Sequence, residues 1–89
     1  MAFVTTIDLV SSNGTTYSDT AEFVSAHGPC GTENSSFITE GTMSLLDGGT
    51  GVRVVLSYVD QAAHDSHRAA FPNDYDGIAN ISWNIVSAE

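Results

Sequence analysis

Lysine is missing from these 89 residues, and two arginines, Arg53 and Arg68, stand against eleven aspartates and glutamates. The resulting formal charge of −9 repels a phosphate backbone, so neither DNA nor RNA is an expected partner. Anionic membrane surfaces are disfavoured for the same reason. Cysteine is almost absent: Cys30 stands alone, so no disulfide can form within the chain. That fits a reducing compartment, and a cytoplasmic location is expected. Only two prolines occur, Pro29 and Pro72. The opening Met-Ala-Phe-Val-Thr-Thr has no basic region and no long apolar run, so neither a signal peptide nor a membrane span is expected. Charged residues, at 15%, fall below the ~25% usual for globular chains. Ser, Thr and Asn, twenty-five residues together, must supply most of the polar surface.

What remains is enough for one domain, residues 1–89. A chain of this length buries about 60–65% of the surface its unfolded form exposes, so its stability is expected to be modest.

Residues 3–10 alternate in strand period, with Phe3, Thr5, Ile7 and Leu9 on one face. Ser11-Ser12-Asn13-Gly14 ends that strand. A short helix follows at 19–27, with Asp19 and Glu22 at capping-box spacing. Thr20, Phe23, Val24 and His27 form its inward stripe, and Gly28-Pro29 stops it. A second strand is read at 36–46 and a third at 51–59, joined by the turn Asp47-Gly48-Gly49-Thr50. That turn sets Met43 opposite Val54 and Leu45 opposite Val52, so turn chemistry and apolar alternation agree on register. A second helix at 61–71 is capped by Asp60 and closed by Pro72. Its inward stripe is Ala63, His67, Ala70 and Phe71, and its wet face Gln61, His64, Asp65 and Arg68. The loop 73–77 leads to a last strand at 78–86, with Ile81, Trp83 and Ile85 on one face.

The order β-α-β-β-α-β, with right-handed crossovers, is that of a ferredoxin-like sandwich: an α+β fold with a four-stranded antiparallel sheet and two helices on one face. An all-β domain is the competitor if the first helix is a loop. The other face of the sheet would carry Val4, Val10, Ile38, Val55, Val59 and Val86 among polar residues. A face of that composition suits a two-fold homodimer. The alternative is an ordinary wet face whose β-branched residues serve strand propensity.

The segment Val52-Arg53-Val54-Val55-Leu56-Ser57-Tyr58-Val59-Asp60-Gln61-Ala62-Ala63-His64-Asp65-Ser66-His67 resembles the strand-then-helix segment of dimeric α/β-barrel proteins, including the antibiotic-biosynthesis monooxygenases. The similarity covers about a fifth of the chain. It implies a homodimer with a pocket between sheet and helices, sometimes holding an aromatic substrate or haem, and marks His67 and Trp83 as pocket lining. Tyr58 and Trp83, on inward strand faces, are read either as core or as the wall of a pocket for a small apolar or aromatic ligand.

His27-Gly-Pro-Cys30 and His64-Asp-Ser-His67 form two pairs with the donors and spacing of a transition-metal site. The competing reading makes His67 a core-edge residue, His64 solvated, His27 a C-terminal cap and Cys30 a small buried apolar side chain. Cys30 with His27 or His67 is also a conceivable nucleophile pair, though no orienting acid follows from spacing. Asp74 and Asp76 are too few for calcium's six to eight oxygens. Gly48-Gly49-Thr50-Gly51 lacks the lysine and the strand-to-helix setting of a phosphate loop, and no cofactor is expected. Three functions follow as expectations. They are a self-associating binding or accessory module, a small monooxygenase-like or isomerase-like enzyme with a pocket near His67 and Trp83, and a metal binder.

Overall fold

A computed structural model describes residues 2–34, 36–72 and 75–89. Strands β1 (Phe3–Ser11), β2 (Glu40–Leu45), β3 (Gly51–Tyr58) and β4 (Ile81–Ala88) alternate with helices α1 (Thr20–His27) and α2 (Gln61–Ala70) in the order β-α-β-β-α-β. The sheet is antiparallel throughout, in the order β2-β3-β1-β4. This is the ferredoxin-like α+β arrangement. Met43 lies opposite Val54 and Leu45 opposite Val52, the register that the turn and the apolar alternation demand. No described helix is long and apolar enough to cross a membrane.

Both helices start as their caps dictate. The Asp19 carboxylate accepts from the Glu22 amide at 2.8 Å, and that of Asp60 from the Ala63 amide at 2.9 Å. Each satisfies one of the amides a helix leaves unpaired at its first turn. Gly28 ends α1 at φ 90°, its amide donating to the Val24 carbonyl, in a conformation that a side chain would oppose. Gly49 does similar service in the β2–β3 turn. Its φ is +69°, and a Cβ there would overlap the carbonyl oxygen of Tyr17. The turn thereby packs onto the loop that leads into α1.

Opposed residues of paired strands share a face. Thr5, Ile7 and Leu9 therefore stand with Leu56, Val54 and Val52 on the inner face, beside Ile85 and Trp83. Phe23 of α1 and Tyr17, Ile38 and Tyr75 from the connecting segments close this core.

Four assignments need correction, one of them the last strand, which runs over Ile81–Ala88 rather than 78–86. The second strand starts at Glu40 rather than at residue 36, because the amides of Phe37 and Ile38 both donate to the Asn34 carbonyl and are lost to the ladder. Ile38 consequently turns into the core, 7% exposed, and is not part of the uncovered face. On α2, His64 is not solvated: its side chain is 12% exposed. Ala63, His64, His67 and Arg68 are the residues this helix withdraws from solvent, while Ala70 and Phe71 stay exposed. Phe71 is the C-cap residue at φ −130°, ψ 69°, so it leaves the helical path before its stripe can turn inward. On α1, Val24 is likewise exposed, leaving Phe23 as the buried anchor.

On the far side of the sheet, Asp8 of β1 faces Arg53 of β3, joined by two hydrogen bonds of 2.8 and 3.0 Å. The carboxylate raises the pKa of the guanidinium through these bonds and through its charge. β4 shifts register between Thr6 and Ile7, leaving Val86 as an extra, exposed residue in the ladder.

Candidate functional site

From Phe3 to Leu9 the inner face of β1 is apolar except at Thr5, which alternation places between Phe3 and Ile7. Opposite it, β3 contributes Leu56 and Tyr58. These side chains form the floor of a cavity of about 290 Å³. Its walls are His27 at the end of α1, the segment from Pro29 to Asn34, and His64, His67 and Arg68 from α2. Phe71, Tyr75 and Ile78 complete them. The volume lies at the lower edge of the roughly 300–1,000 Å³ typical of ligand pockets.

Thr5 is 3% exposed, and its hydroxyl oxygen has no hydrogen-bond partner among the described residues. Its neighbours differ. His67 Nε2 lies 3.2 Å from Asn34 Nδ2 and Nδ1 2.8 Å from the Tyr58 hydroxyl. With the Asn34 amide nitrogen donating, Nε2 accepts, and Nδ1 is left to the Tyr58 hydroxyl. The His67 ring also stacks on Phe37, with centroids 5.0 Å apart. His64 holds Asp65 Oδ1 at 3.1 Å through Nδ1 and packs against Phe3 and Tyr58, at 4.6 and 5.2 Å between ring centres. His27 Nε2 meets the Tyr17 hydroxyl at 2.8 Å.

Cys30 sits at φ 54°, and its thiol donates to the Gly28 carbonyl at 3.4 Å. Burial, reinforced by the charge of Glu33, pushes the thiol pKa from 9.0 to about 11. A thiol so held is a poor nucleophile at neutral pH.

The residues expected from sequence thus meet only in part. His67 and Tyr58 line the cavity. Trp83 does not: it packs at a tilt against Tyr75, with ring centres 5.5 Å apart, and its indole N–H donates to Asp76 at 2.8 Å. His27, Cys30, His64 and His67 all border the same cavity. Even so, no group of three or more His, Cys, Asp or Glu among the described residues is arranged to hold a metal. Asp74 lies outside the described residues. Of the residues expected on the uncovered face, Val4, Val10 and Val55 are half-buried, and Val59 and Val86 are exposed.

Thr5 and Tyr75 were not anticipated as site residues. For Thr5 the signal was present, a hydroxyl set among Phe3, Ile7 and Leu9 on one strand face. Tyr75 comes from an irregular loop, where no periodicity announces a buried ring. In comparisons with known proteins the chain matches no family model, no curated protein and no solved structure, so the resemblance of residues 52–67 to the monooxygenase type finds no counterpart there.

Proposed function

We propose that this protein binds a small molecule in the cavity between its sheet and its helices. The observation that carries this reading is the buried hydroxyl of Thr5, without a partner among the described residues, in the wall of a 290 Å³ space. An unsatisfied buried hydroxyl costs roughly 1–3 kcal/mol, and a bound molecule relieves that cost. The test is a set of small ring compounds at millimolar concentration, titrated while the methyl resonances of Ile7, Leu56 and Ile78 are followed. Shifts confined to the cavity are expected. If none of the compounds moves those resonances, the reading is wrong.

Self-association through the uncovered sheet face is the second reading, and charge supports it. In a chain of net −9, the described strand residues of that face carry only Asp8, Glu40 and Arg53 as charges, and Asp8 is paired with Arg53. A second copy meets less repulsion there than the whole chain's charge implies. Val4, Val10 and Val55 supply apolar surface around the pair. Sedimentation at high micromolar concentration is expected to give a dimer mass, and Val55→Glu to return the monomer. A wild-type monomer under those conditions rules this reading out. A dimer closed on that face leaves the cavity, on the opposite side of the sheet, available to ligand, as in the dimeric α/β barrel that residues 52–67 resemble.

A further inference from the structure

The nature of the occupant can be taken one step further, on the premise that the cavity is a binding site. We infer that the cavity takes a neutral ring compound bearing a hydroxyl or carbonyl group, which hydrogen-bonds to the side chain of Thr5.

Size sets the first limit. A 150 Å³ apolar cavity suffices for benzene, so about 290 Å³ admits a substituted single ring or a small fused pair. The walls set the second. Tyr58, Tyr75 and His64 offer flat aromatic surface, and Ile7, Leu56 and Ile78 offer apolar surface, which together suit a ring better than a flexible polar chain.

Polarity sets the third. The phenol of Tyr75 already donates to the Cys30 carbonyl at 3.0 Å. The Cys30 thiol donates to Gly28, and both ring nitrogens of His67 have partners. Among the described residues, Thr5 is the buried side chain with a polar atom left to satisfy. A threonine hydroxyl both donates and accepts, so a ligand hydroxyl or a ligand carbonyl fits it equally.

Charge sets the last limit. A carboxylate beside Thr5 would lose its hydration against one neutral hydrogen bond, because Arg68, which borders the cavity, is already engaged, and the chain's −9 opposes its approach. An ammonium there would lack a buried counter-charge, since Glu33, the carboxylate bordering the cavity, belongs to an exposed residue.

Toluene, p-cresol and p-toluate are matched probes of these limits, measured by NMR titration of the full chain at pH 7. p-Cresol is expected to bind at least about tenfold tighter than toluene, and p-toluate at least about tenfold more weakly than p-cresol. Water hydrates the phenol better than it hydrates toluene, so a preference for p-cresol requires a hydrogen-bond partner inside. In Thr5→Val the p-cresol to toluene ratio is expected to fall to one or below, since the phenol then loses its hydration with no partner inside, and in Thr5→Ser, which keeps the hydroxyl, to return. Thermal melts of both variants establish that they are folded. Equal affinities for toluene and p-cresol in the wild type, or a preference that survives Thr5→Val, overturn the Thr5 anchor while leaving the cavity reading intact. Tight binding of p-toluate overturns the neutral class. Failure of all three probes to bind removes the cavity reading itself.

Discussion

Phe23→Ala is expected to remove about 3–5 kcal/mol of folding stability, against the roughly 5–13 kcal/mol that a chain of this length possesses. Phe23 is fully buried and is the one residue of α1 so placed. Its ring packs edge-on against Tyr17 at 5.0 Å and lies 4.9 Å from the ring of His27. An eight-residue helix is too short to persist by its own hydrogen bonds and depends on tertiary packing. With Val24 turned outward, Phe23 supplies most of that packing. The loss extends to the cavity, because His27 at the end of α1 forms part of its wall. Urea unfolding measures the effect as a lowered midpoint with an unchanged slope. Val24→Ala, at an exposed position of the same helix, is the control and should cost under ~1 kcal/mol. A similarly small loss for Phe23→Ala would show that the helix is held by something else.

Alkylation of Cys30 gives the second large effect. A pKa of about 11 in place of 9.0 lowers the thiolate fraction at pH 7.5 about a hundredfold, and the thiolate is the reacting species. Iodoacetamide should therefore modify the folded protein about a hundred times more slowly than the same chain in urea, and the folded rate should climb tenfold per pH unit up to about pH 11. The sign for stability follows from the same shift. Because the folded pKa lies above the unfolded one, the folded chain holds the proton more tightly. This contribution is complete below pH 9 and is lost as the pH rises through 11. Equal alkylation rates for folded and unfolded protein would mean that the thiol is neither buried nor opposed by Glu33.

Much of the fold could be read from local chemistry. Asp19 and Asp60 are caps because a carboxylate at that position reaches the amide three residues on. The β2–β3 register followed from a glycine-rich turn flanked by alternating apolar residues. Ile38 was misplaced because its direction depends on a hydrogen bond to Asn34, which strand alternation does not encode. The orientation of α2 was misread for a related reason. Its alanines give a weak apolar stripe, so the helix rotates to where His64 and His67 meet Phe3, Tyr58 and Phe37. The cavity was least legible, since much of its wall comes from loops without periodicity. Thr5 was assigned to the inner face correctly, and only the missing partner gives that position its meaning.

The position of β1 between β3 and β4 also bears on how the chain reaches this structure. β2 and β3 are joined by a short turn, so their hairpin closes at little entropic cost. β1 must find partners far along the chain, and its outermost link joins Val4 to Glu89 through reciprocal backbone hydrogen bonds of 3.0 Å. A loop of that length is costly to close before other contacts are in place. The hairpin is therefore expected to form first, and the pairing of the first strand with the last to come late in folding.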